Sequence, residues 1–287
     1  MTSTISRRRS PRQVAERARD YTVMSVAAIL MFAPIYYLVI GSLKPSDQVL
    51  NGFAGFLPVN LSFDNYIAMF NALGSDATGY FWRFFLNSFV ISFVIVVAGL
   101  VVNSMAGYAF ARLNWVGRDK VFILIIVLII VPFESIAIPL LWLLSGQRDT
   151  LIVQIIPFIA NAFSVFLFYT FFLNIPKSLE EAARLDGLGS WGVFSRIVVP
   201  ISKPAFATVA ILTFLSSWGQ FLWPLLMTSD PTVRPLPLEM SVFSAQQPPD
   251  WGQVFAFGTL LVLPILIVFL IFQRYFVQSV AGSAVKG

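Results

Sequence analysis

The sequence contains no cysteine and no histidine, and few of its 287 residues are charged. Without those two side chains it cannot form a disulfide, a Cys/His zinc site, a thiol nucleophile or an imidazole general base. Charged residues make up 11%, less than half of the roughly 25% found in soluble domains. Hydrophobic residues make up 57%, and the mean hydropathy is +0.80. This composition is typical of a membrane protein.

Six stretches of the chain are apolar and long enough to cross a bilayer, which takes about 20 residues of helix. Five of them carry no charge, and the third contains only Glu134. Their predicted bounds are Tyr21–Ile40, Phe84–Ala111, Val121–Leu144, Leu151–Leu173, Pro204–Thr228 and Val254–Gln273. We therefore expect an all-α integral membrane fold. Six transmembrane helices would occupy residues 21–276, between a basic segment (1–20) and a short tail (277–287).

Lysine and arginine predict the orientation, because they concentrate in the cytoplasmic loops of membrane proteins. If the amino terminus is cytoplasmic, fifteen of the 19 lysines and arginines lie in cytoplasmic segments. The four outside are Lys44, Arg83, Arg148 and Arg234. Both termini are therefore expected in the cytoplasm, with the basic amino-terminal segment anchoring an uncleaved first helix. The net charge of +5 follows from this distribution and does not indicate nucleic-acid binding.

The predicted inside loop between spans four and five, residues 174–203, holds more local structure than a connector needs. Ser178 followed by Glu181 predicts a capping box, and good helix formers come next. Gly187 stands where a left-handed helix terminator is expected. The loop should therefore contain a short helix outside the membrane that another protein binds. A capped connecting helix with solvated charges is the alternative.

The same loop carries a spaced motif over residues 181–200. Glu181-Ala182-Ala183, Gly187, Ile197 and Pro200 have the spacing of the EAA signature, with Val199 in place of its leucine. In this respect the chain resembles the permease subunits of bacterial ABC importers.

Other segments extend this resemblance along the chain. Ser42–Lys44, Ala106–Arg112 and Ala284–Gly287 look like the carbohydrate-uptake, MalG-like branch of binding-protein-dependent transport inner membrane components. Trp218–Pro224 is similar to a family segment that usually reads Trp-Asn-Asp/Glu, from which Gly219 and Gln220 depart.

The resemblance implies the type I importer permease fold, in the bacterial cytoplasmic membrane. It implies a heterodimer with a second permease, two ATP-binding-cassette subunits and an extracytoplasmic substrate-binding (lipo)protein. The solute would be sugar-like: an oligosaccharide, an amino sugar or a glycerol phosphate. The loop would form a helix that couples the ATPase to the membrane helices. The residues expected to couple are Glu180, Glu181, Ala182, Ala183, Arg184, Asp186, Gly187, Ile197 and Pro200.

The chain contains no Gly-x4-Gly-Lys-Ser/Thr phosphate loop, so a membrane enzyme is the weakest interpretation. No catalytic residue, cofactor or metal is expected in this subunit, and ATP and Mg²⁺ would be bound by the partner ATPase. A stand-alone secondary transporter or channel is the alternative function. A single intramembrane acid and the lack of an internal repeat weigh against it.

Five residues are candidates for the solute path: Glu134, Asn161, Trp218, Gln220 and Trp223. A charge at the bilayer centre costs about 2.5–3.5 kcal/mol, so Glu134 either lines the path or is packed and protonated. Asn161 and Gln220, like Asn87 and Asn103, either line the path or hydrogen-bond to neighbouring helices. Trp218 and Trp223 either stack on sugar rings or fill the protein interior.

Overall fold

The structure is a computed structural model that describes residues 11–75 and 79–284, with side chains over residues 16–75 and 79–272. The α-helices are α1 (Pro11–Ser42), α2 (Ser46–Val49), α3 (Asp64–Ala72), α4 (Phe81–Arg112), α5 (Arg118–Ile130), α6 (Phe133–Leu143), α7 (Leu151–Ile159), α8 (Ala162–Leu173), α9 (Lys177–Leu185), α10 (Ser190–Val193), α11 (Val199–Ile201), α12 (Lys203–Trp218), α13 (Leu222–Met227), α14 (Leu236–Ser244) and α15 (Trp251–Ala284). The shorter elements are 3-10 helices at Gly52–Phe56, Ser145–Gln147 and Pro231–Val233, a π-helical turn at Phe194–Val198, and the antiparallel strands β1 (Gly74–Ser75) and β2 (Gly79–Tyr80), which pair Gly74 with Tyr80 and Ser75 with Gly79.

The apolar stretches form long helices. Among the described residues, four stretches have the length and composition of a membrane span: Glu16–Ser42, Phe81–Arg112, Leu151–Leu173 and Trp251–Phe272. Two pairs of bent helices raise the total to six if each pair is one span. The prediction of a multi-pass helical protein is confirmed. The first, second, fourth and sixth predicted spans coincide with these stretches.

The third predicted span, Val121–Leu144, is not one continuous helix. α5 and α6 meet at an angle of 102°. Val131, between them, is extended, because the ring of the following Pro132 disfavours helical backbone at the preceding residue. Pro132 also lacks the N–H that a continuous helix would use. As a result Glu134 lies in the first turn of a new helix.

The fifth predicted span, Pro204–Thr228, is also interrupted. α12 ends at Trp218, and α13 begins at Leu222. At its other end α12 forms a 78° bend with the helical segment Ser190–Ile201. Pro204 stands in the first turn of α12, where its missing N–H costs little but prevents a straight continuation from α11. The predicted loop 174–203 is therefore largely helical.

The chain divides into two compact units. The first contains the described residues up to Met69 together with Pro248–Thr259. In it, the side-chain amide of Asn65 donates to the carbonyls of Ser42 (2.9 Å) and Lys44 (2.6 Å). The buried Lys44 donates from Nζ to the Ala54 carbonyl at 2.9 Å. Its charge is therefore placed near the carboxyl end of the 3-10 helix Gly52–Phe56, where a cation is favourable.

The second unit contains the described residues of Phe70–Gln247 and those from Leu260 onward. Its central helix is α4, which packs against α7, α8 and α12. Gly107 allows α4 and α8 to approach closely, since a Cβ there would lie 2.6 Å from the Phe168 Cβ and 3.1 Å from the Tyr169 nitrogen. Small residues at such contacts are typical of membrane helices, which associate by close packing.

Candidate functional site

The EAA signature places its first residues on α9. The helix starts one residue after Pro176, whose φ of −58° already suits a helix start, and no side chain caps this end. Ser178 therefore lies inside the first turn instead of before it. The predicted capping box between Ser178 and Glu181 is wrong, because the proline sets the start of the helix earlier than the serine does.

The other end of α9 is as predicted. Gly187 has a φ of +84°, a conformation that side-chain-bearing residues rarely adopt. Its N–H donates to the Arg184 carbonyl and the Leu188 N–H to the Ala183 carbonyl, both at 3.0 Å. These two bonds form a Schellman motif, which satisfies carbonyls that the helix end leaves free. An added Cβ on Gly187 would meet no atom of the chain within 4 Å.

One face of α9 is fixed to the membrane helices by Arg112, the last residue of α4. Arg112 Nε lies 3.0 Å from Glu180 Oε1, and the two side chains are only 3% and 9% exposed. The same guanidinium donates to the carbonyls of Phe172 and Ile175, at and just beyond the end of α8. Glu180 thus belongs to the inward face of α9, where its charge is already paired within the chain.

Apolar contacts complete this inward face. Ala183 is buried one helical turn after Glu180. It belongs to a cluster formed by the end of α4, the end of α8 and the segment after α9; its buried members include Tyr108, Phe168, Phe172, Val193, Phe194 and Val198. Ile197 packs against the same cluster. Helix α9 is therefore seated on the transmembrane unit through an ion pair and an apolar contact.

The opposite face of α9 is open to solvent in the chain. Glu181, Ala182, Arg184, Asp186 and Gly187 are all exposed, and so is Pro200 further along. The exposed residues include two large apolar ones, since Leu185 is 89% exposed and Trp191 is 65% exposed. Of the nine signature-loop candidates, the structure thus brings six to the surface and turns Glu180, Ala183 and Ile197 inward.

A second group of polar residues surrounds the break between α7 and α8. The Asn103 side chain donates to the Ile159 carbonyl and accepts from the Asn161 N–H, both at 2.9 Å. Asn161 in turn caps α8 by accepting from the Ser164 N–H at 2.9 Å. Backbone groups that a helix break frees at membrane depth need such partners. Asn103, which the sequence offered either to the path or to a bond with a neighbouring helix, makes the second kind of contact.

Asn161 and Gln220 both line a cleft of about 130 Å³ in the second unit. Gln220 follows the end of α12, so the cleft lies beside two interruptions of helix. Its polar lining consists of Asn161, Ser164, Thr213, Ser216, Ser217 and Gln220. The structure thereby brings together two of the five path candidates.

The two tryptophan candidates are interior packing residues. Trp218 is 1% exposed and donates its indole N–H to the Leu261 carbonyl at 3.0 Å. Trp223 is fully buried and donates to the Val153 carbonyl at 2.8 Å. Neither ring presents a surface that a solute could stack on in this conformation. Glu134 is exposed at the start of α6.

Comparison with known proteins identifies the chain's relatives. Residues 95–282 match the family described as binding-protein-dependent transport system inner membrane component. The chain belongs to this family. The resemblance to permease subunits of ABC importers that the EAA signature indicated is confirmed, and the segment matched includes the signature and the cleft.

Curated members of the permease family align over nearly the whole chain. The arabinooligosaccharides transport system permease protein AraQ of Bacillus subtilis is 34% identical over 284 residues, covering 98% of this chain and 99% of AraQ. The lactose transport system permease protein LacG of Rhizobium radiobacter is 33% identical, with 98% of each chain covered. The sn-glycerol-3-phosphate transport system permease protein UgpE of Yersinia pestis is 30% identical, over 92% and 95% of the chains.

A solved structure confirms the permease fold. One chain in the crystal structure of a bacterial ABC transporter involved in the import of the acidic polysaccharide alginate superposes with a TM-score of 0.80. The two chains are 22% identical, and the match covers 94% of this chain and all of that one. Because so few residues are identical, this likeness describes the backbone alone.

Proposed function

We propose that this permease forms one half of the translocation path of an ABC importer for a sugar-like solute, in the bacterial cytoplasmic membrane. Membership of the permease family supports the transport role, and the names of the relatives AraQ, LacG and UgpE support the solute class. The other half would be a second permease. A substrate-binding protein would deliver the solute from outside the cell.

The observation that carries the proposal is the two-sided construction of α9. One face is seated on the membrane helices through Glu180 and Ala183, while the other presents Leu185 and the EAA residues outward. Leu185 is 89% exposed, Trp191 65% and Leu179 42%, so several large apolar side chains of this short segment are available to another protein. We propose that α9 is the coupling helix, and that a cytoplasmic ATPase subunit binds its outward face.

Hydrolysis of ATP takes place on the partner in this proposal. The chain has no phosphate-binding loop of its own, so ATP and Mg²⁺ would be held by the ATPase subunits. The movement that follows ATP binding would reach α4 and α8 through α9. This arrangement requires α9, and therefore both termini, to lie on the cytoplasmic side, in agreement with the charge distribution.

The solute path would follow the polar groups at membrane depth. Asn161 and Gln220 line the cleft, and Glu134 is exposed at the bend between α5 and α6. Interrupted backbone at this depth is tolerated where it lines a cavity or is covered by protein. A stand-alone carrier or channel, the alternative drawn from the sequence, would require no ATPase partner.

The test is to purify the protein with its second permease and ATPase, reconstitute them in liposomes, and measure ATP hydrolysis with and without the loaded binding protein. The proposal expects co-purification, stimulated hydrolysis and uptake. Leu185→Glu and Glu181→Lys should weaken ATPase attachment or stimulation, because the first introduces a charge on the outward face of α9 and the second reverses one. Asp119→Asn, on an exposed residue of α5, is the control. Uptake by this chain without any ATPase would favour the stand-alone carrier.

A further inference from the structure

The cleft beside the breaks at Asn161 and Gln220 has a lining that is polar and uncharged. It combines two amides and several hydroxyls with the apolar surfaces of residues such as Phe158 and Phe163. Among the described residues around it, none is Asp, Glu, Lys or Arg. We propose that this cleft is a solute subsite, carried by this subunit, for uncharged polyhydroxyl compounds. The inference rests on the proposed function and narrows its solute class.

The polar groups of the cleft retain capacity to bind a ligand. Gln220 Oε1 is inaccessible to solvent and accepts no hydrogen bond from the described residues. A buried acceptor without a donor costs about 1–3 kcal/mol, so a small rotation of the Gln220 side chain that lets a solute hydroxyl donate to this oxygen would be favourable. Ser217 donates back to the Phe214 carbonyl at 3.2 Å, which leaves its oxygen free to accept.

Part of the backbone at the cleft is already committed to hydrogen bonds within the chain. The amino terminus of α8 points a helix dipole towards this region, and such ends attract anions. Here, however, the Ser164 N–H is already bonded to the Asn161 side chain at 2.9 Å. The Asn161 N–H is likewise bonded to Asn103. Two of the backbone donors at this end are therefore unavailable to a phosphate or a carboxylate.

The solutes that a sugar importer could carry fall into two classes, neutral and anionic, which differ in net charge. A phosphorylated or carboxylated sugar entering a cleft of low polarity would need a lysine, an arginine or free N–H groups to offset its desolvation. A neutral sugar needs hydroxyl and amide partners together with apolar surface, and the lining offers both. The cleft therefore fits uncharged saccharides and polyols and disfavours uronates and sugar phosphates.

The chain's lack of cysteine allows a direct test of occupancy. Ser216→Cys places a single thiol in the cleft, and Thr208→Cys places one elsewhere on α12 as the matched control. Each variant is assembled with its partner subunits, and a neutral methanethiosulfonate reagent labels this chain. Lactose and arabinotriose are the uncharged probes; glycerol 3-phosphate and a glucuronate disaccharide are the anionic ones. We expect an uncharged probe to slow labelling at 216 and leave labelling at 208 unchanged.

Variants of Gln220 and Thr213 test the hydrogen bonds in transport. Gln220→Leu and Thr213→Val should each lower uptake at limiting solute roughly two- to tenfold, the value of one hydrogen bond. Gln220→Glu keeps an acceptor and should keep more uptake than Gln220→Leu if the solute is uncharged. Thr208→Val should have no effect, because Thr208 bonds only to its own helix, at 3.0 Å from the Pro204 carbonyl. Co-purification with the ATPase checks that each variant assembles.

Two outcomes would overturn the subsite: labelling at 216 that no probe slows, or protection by the anionic probes that equals or exceeds that by the uncharged ones. Equal uptake by Gln220→Leu, Thr213→Val and the unmodified protein would do the same. These outcomes are distinct from failure of the proposed function, which would show in the unmodified complex as a lack of ATPase partner or of binding-protein-stimulated hydrolysis.

Discussion

Arg112 and Glu180 form an ion pair that links the end of a transmembrane helix to the proposed coupling helix, with 3.0 Å between Nε and Oε1. The pair is enclosed on all sides, and Arg112 also donates to two carbonyls at the end of α8. One guanidinium thus joins three helices. Displacement of α9 would have to move α4 and α8 or break these contacts.

Glu180→Gln should uncouple ATP hydrolysis from solute transport more than it reduces assembly of the transporter. Removing one partner of a buried ion pair costs about 3–5 kcal/mol, because the remaining charge is left without compensation. We expect less solute transported per ATP hydrolysed and a lower unfolding temperature. Asp119→Asn breaks the exposed Arg118–Asp119 pair (2.9 Å) and should change stability by less than about 1 kcal/mol. Equal behaviour of the two variants would contradict a special role for Glu180.

Gly187→Val should leave the protein in the membrane but reduce stimulated ATP hydrolysis and uptake. At a φ of +84° a side-chain-bearing residue is strained by roughly 1–2 kcal/mol, and valine is worse because it is β-branched. Gly187→Asn is the control, since asparagine tolerates this conformation. The Cβ meets nothing within this chain. If Gly187→Asn also abolishes the stimulation of ATP hydrolysis, the loss indicates that position 187 contacts the ATPase. If stimulation is unchanged in both variants, the loop is only a connector.

Asn103→Leu should destabilise the transmembrane unit at the break between α7 and α8. The substitution leaves the Ile159 carbonyl and the Asn161 N–H without their partner, at about 1–3 kcal/mol each. Thermal unfolding of the purified protein measures the loss. Asn174→Ala removes an exposed amide whose bond goes to the Thr170 carbonyl, and should have a small effect. An unchanged unfolding temperature for Asn103→Leu would mean that other groups or lipid satisfy the break.

Glu134→Gln should lower uptake without reducing the amount of assembled complex. A carboxylate in the first turn of a helix contributes only about 0.3–1 kcal/mol through the helix dipole, so its loss should be tolerated structurally. Uptake normalised to the purified complex is the measurement. Wild-type uptake would argue against a role for the ionised group.

Reporter fusions test the orientation. Fusions at Gly117 and Gly187 should report the cytoplasm, and fusions at Gly74 and Pro248 the outside. The physical basis is the concentration of lysine and arginine in the predicted inside segments. A cytoplasmic report from Gly74 would reverse the assignment of the first loop.

The sequence predicted what depends on local patterns. Hydropathy located the helices, since a charge-free stretch such as Phe84–Ala111 has few alternatives in a membrane. The left-handed conformation of Gly187 was predictable because a glycine that follows a run of helix formers commonly ends the helix. The positions at which helices start and bend were harder to predict. Pro176 and Ser178 both favour a helix start. Pro132 favours an interruption of its helix, but the angle of 102° depends on packing against other helices.

The direction in which Glu180 points could not be predicted from α9 alone. Adjacent glutamates at 180 and 181 differ by one residue, and on a helix that step rotates a side chain by about 100°. What decides between them is Arg112, far away in sequence but at the end of α8 in space. Its position as the first charge after a long apolar span was the available signal. Similarly, only the folded chain shows that Asn103 lies against the break at Asn161.

The bend in the third span has a consequence for how the protein enters the membrane. α5 has 13 residues and α6 has 11, so at 1.5 Å per residue each is roughly 20 Å long or shorter, against a hydrocarbon core of about 30 Å. Neither α5 nor α6 alone is long enough to span the hydrocarbon core. The ring centroids of Phe122 of α5 and Tyr169 of α8 lie 4.1 Å apart, and those of Phe133 of α6 and Trp223 of α13 lie 5.8 Å apart in an edge-to-face contact. Both contacts are with helices that are synthesised later. During biogenesis, the α5–α6 segment therefore reaches its packed position only after α8 and α13 have been made.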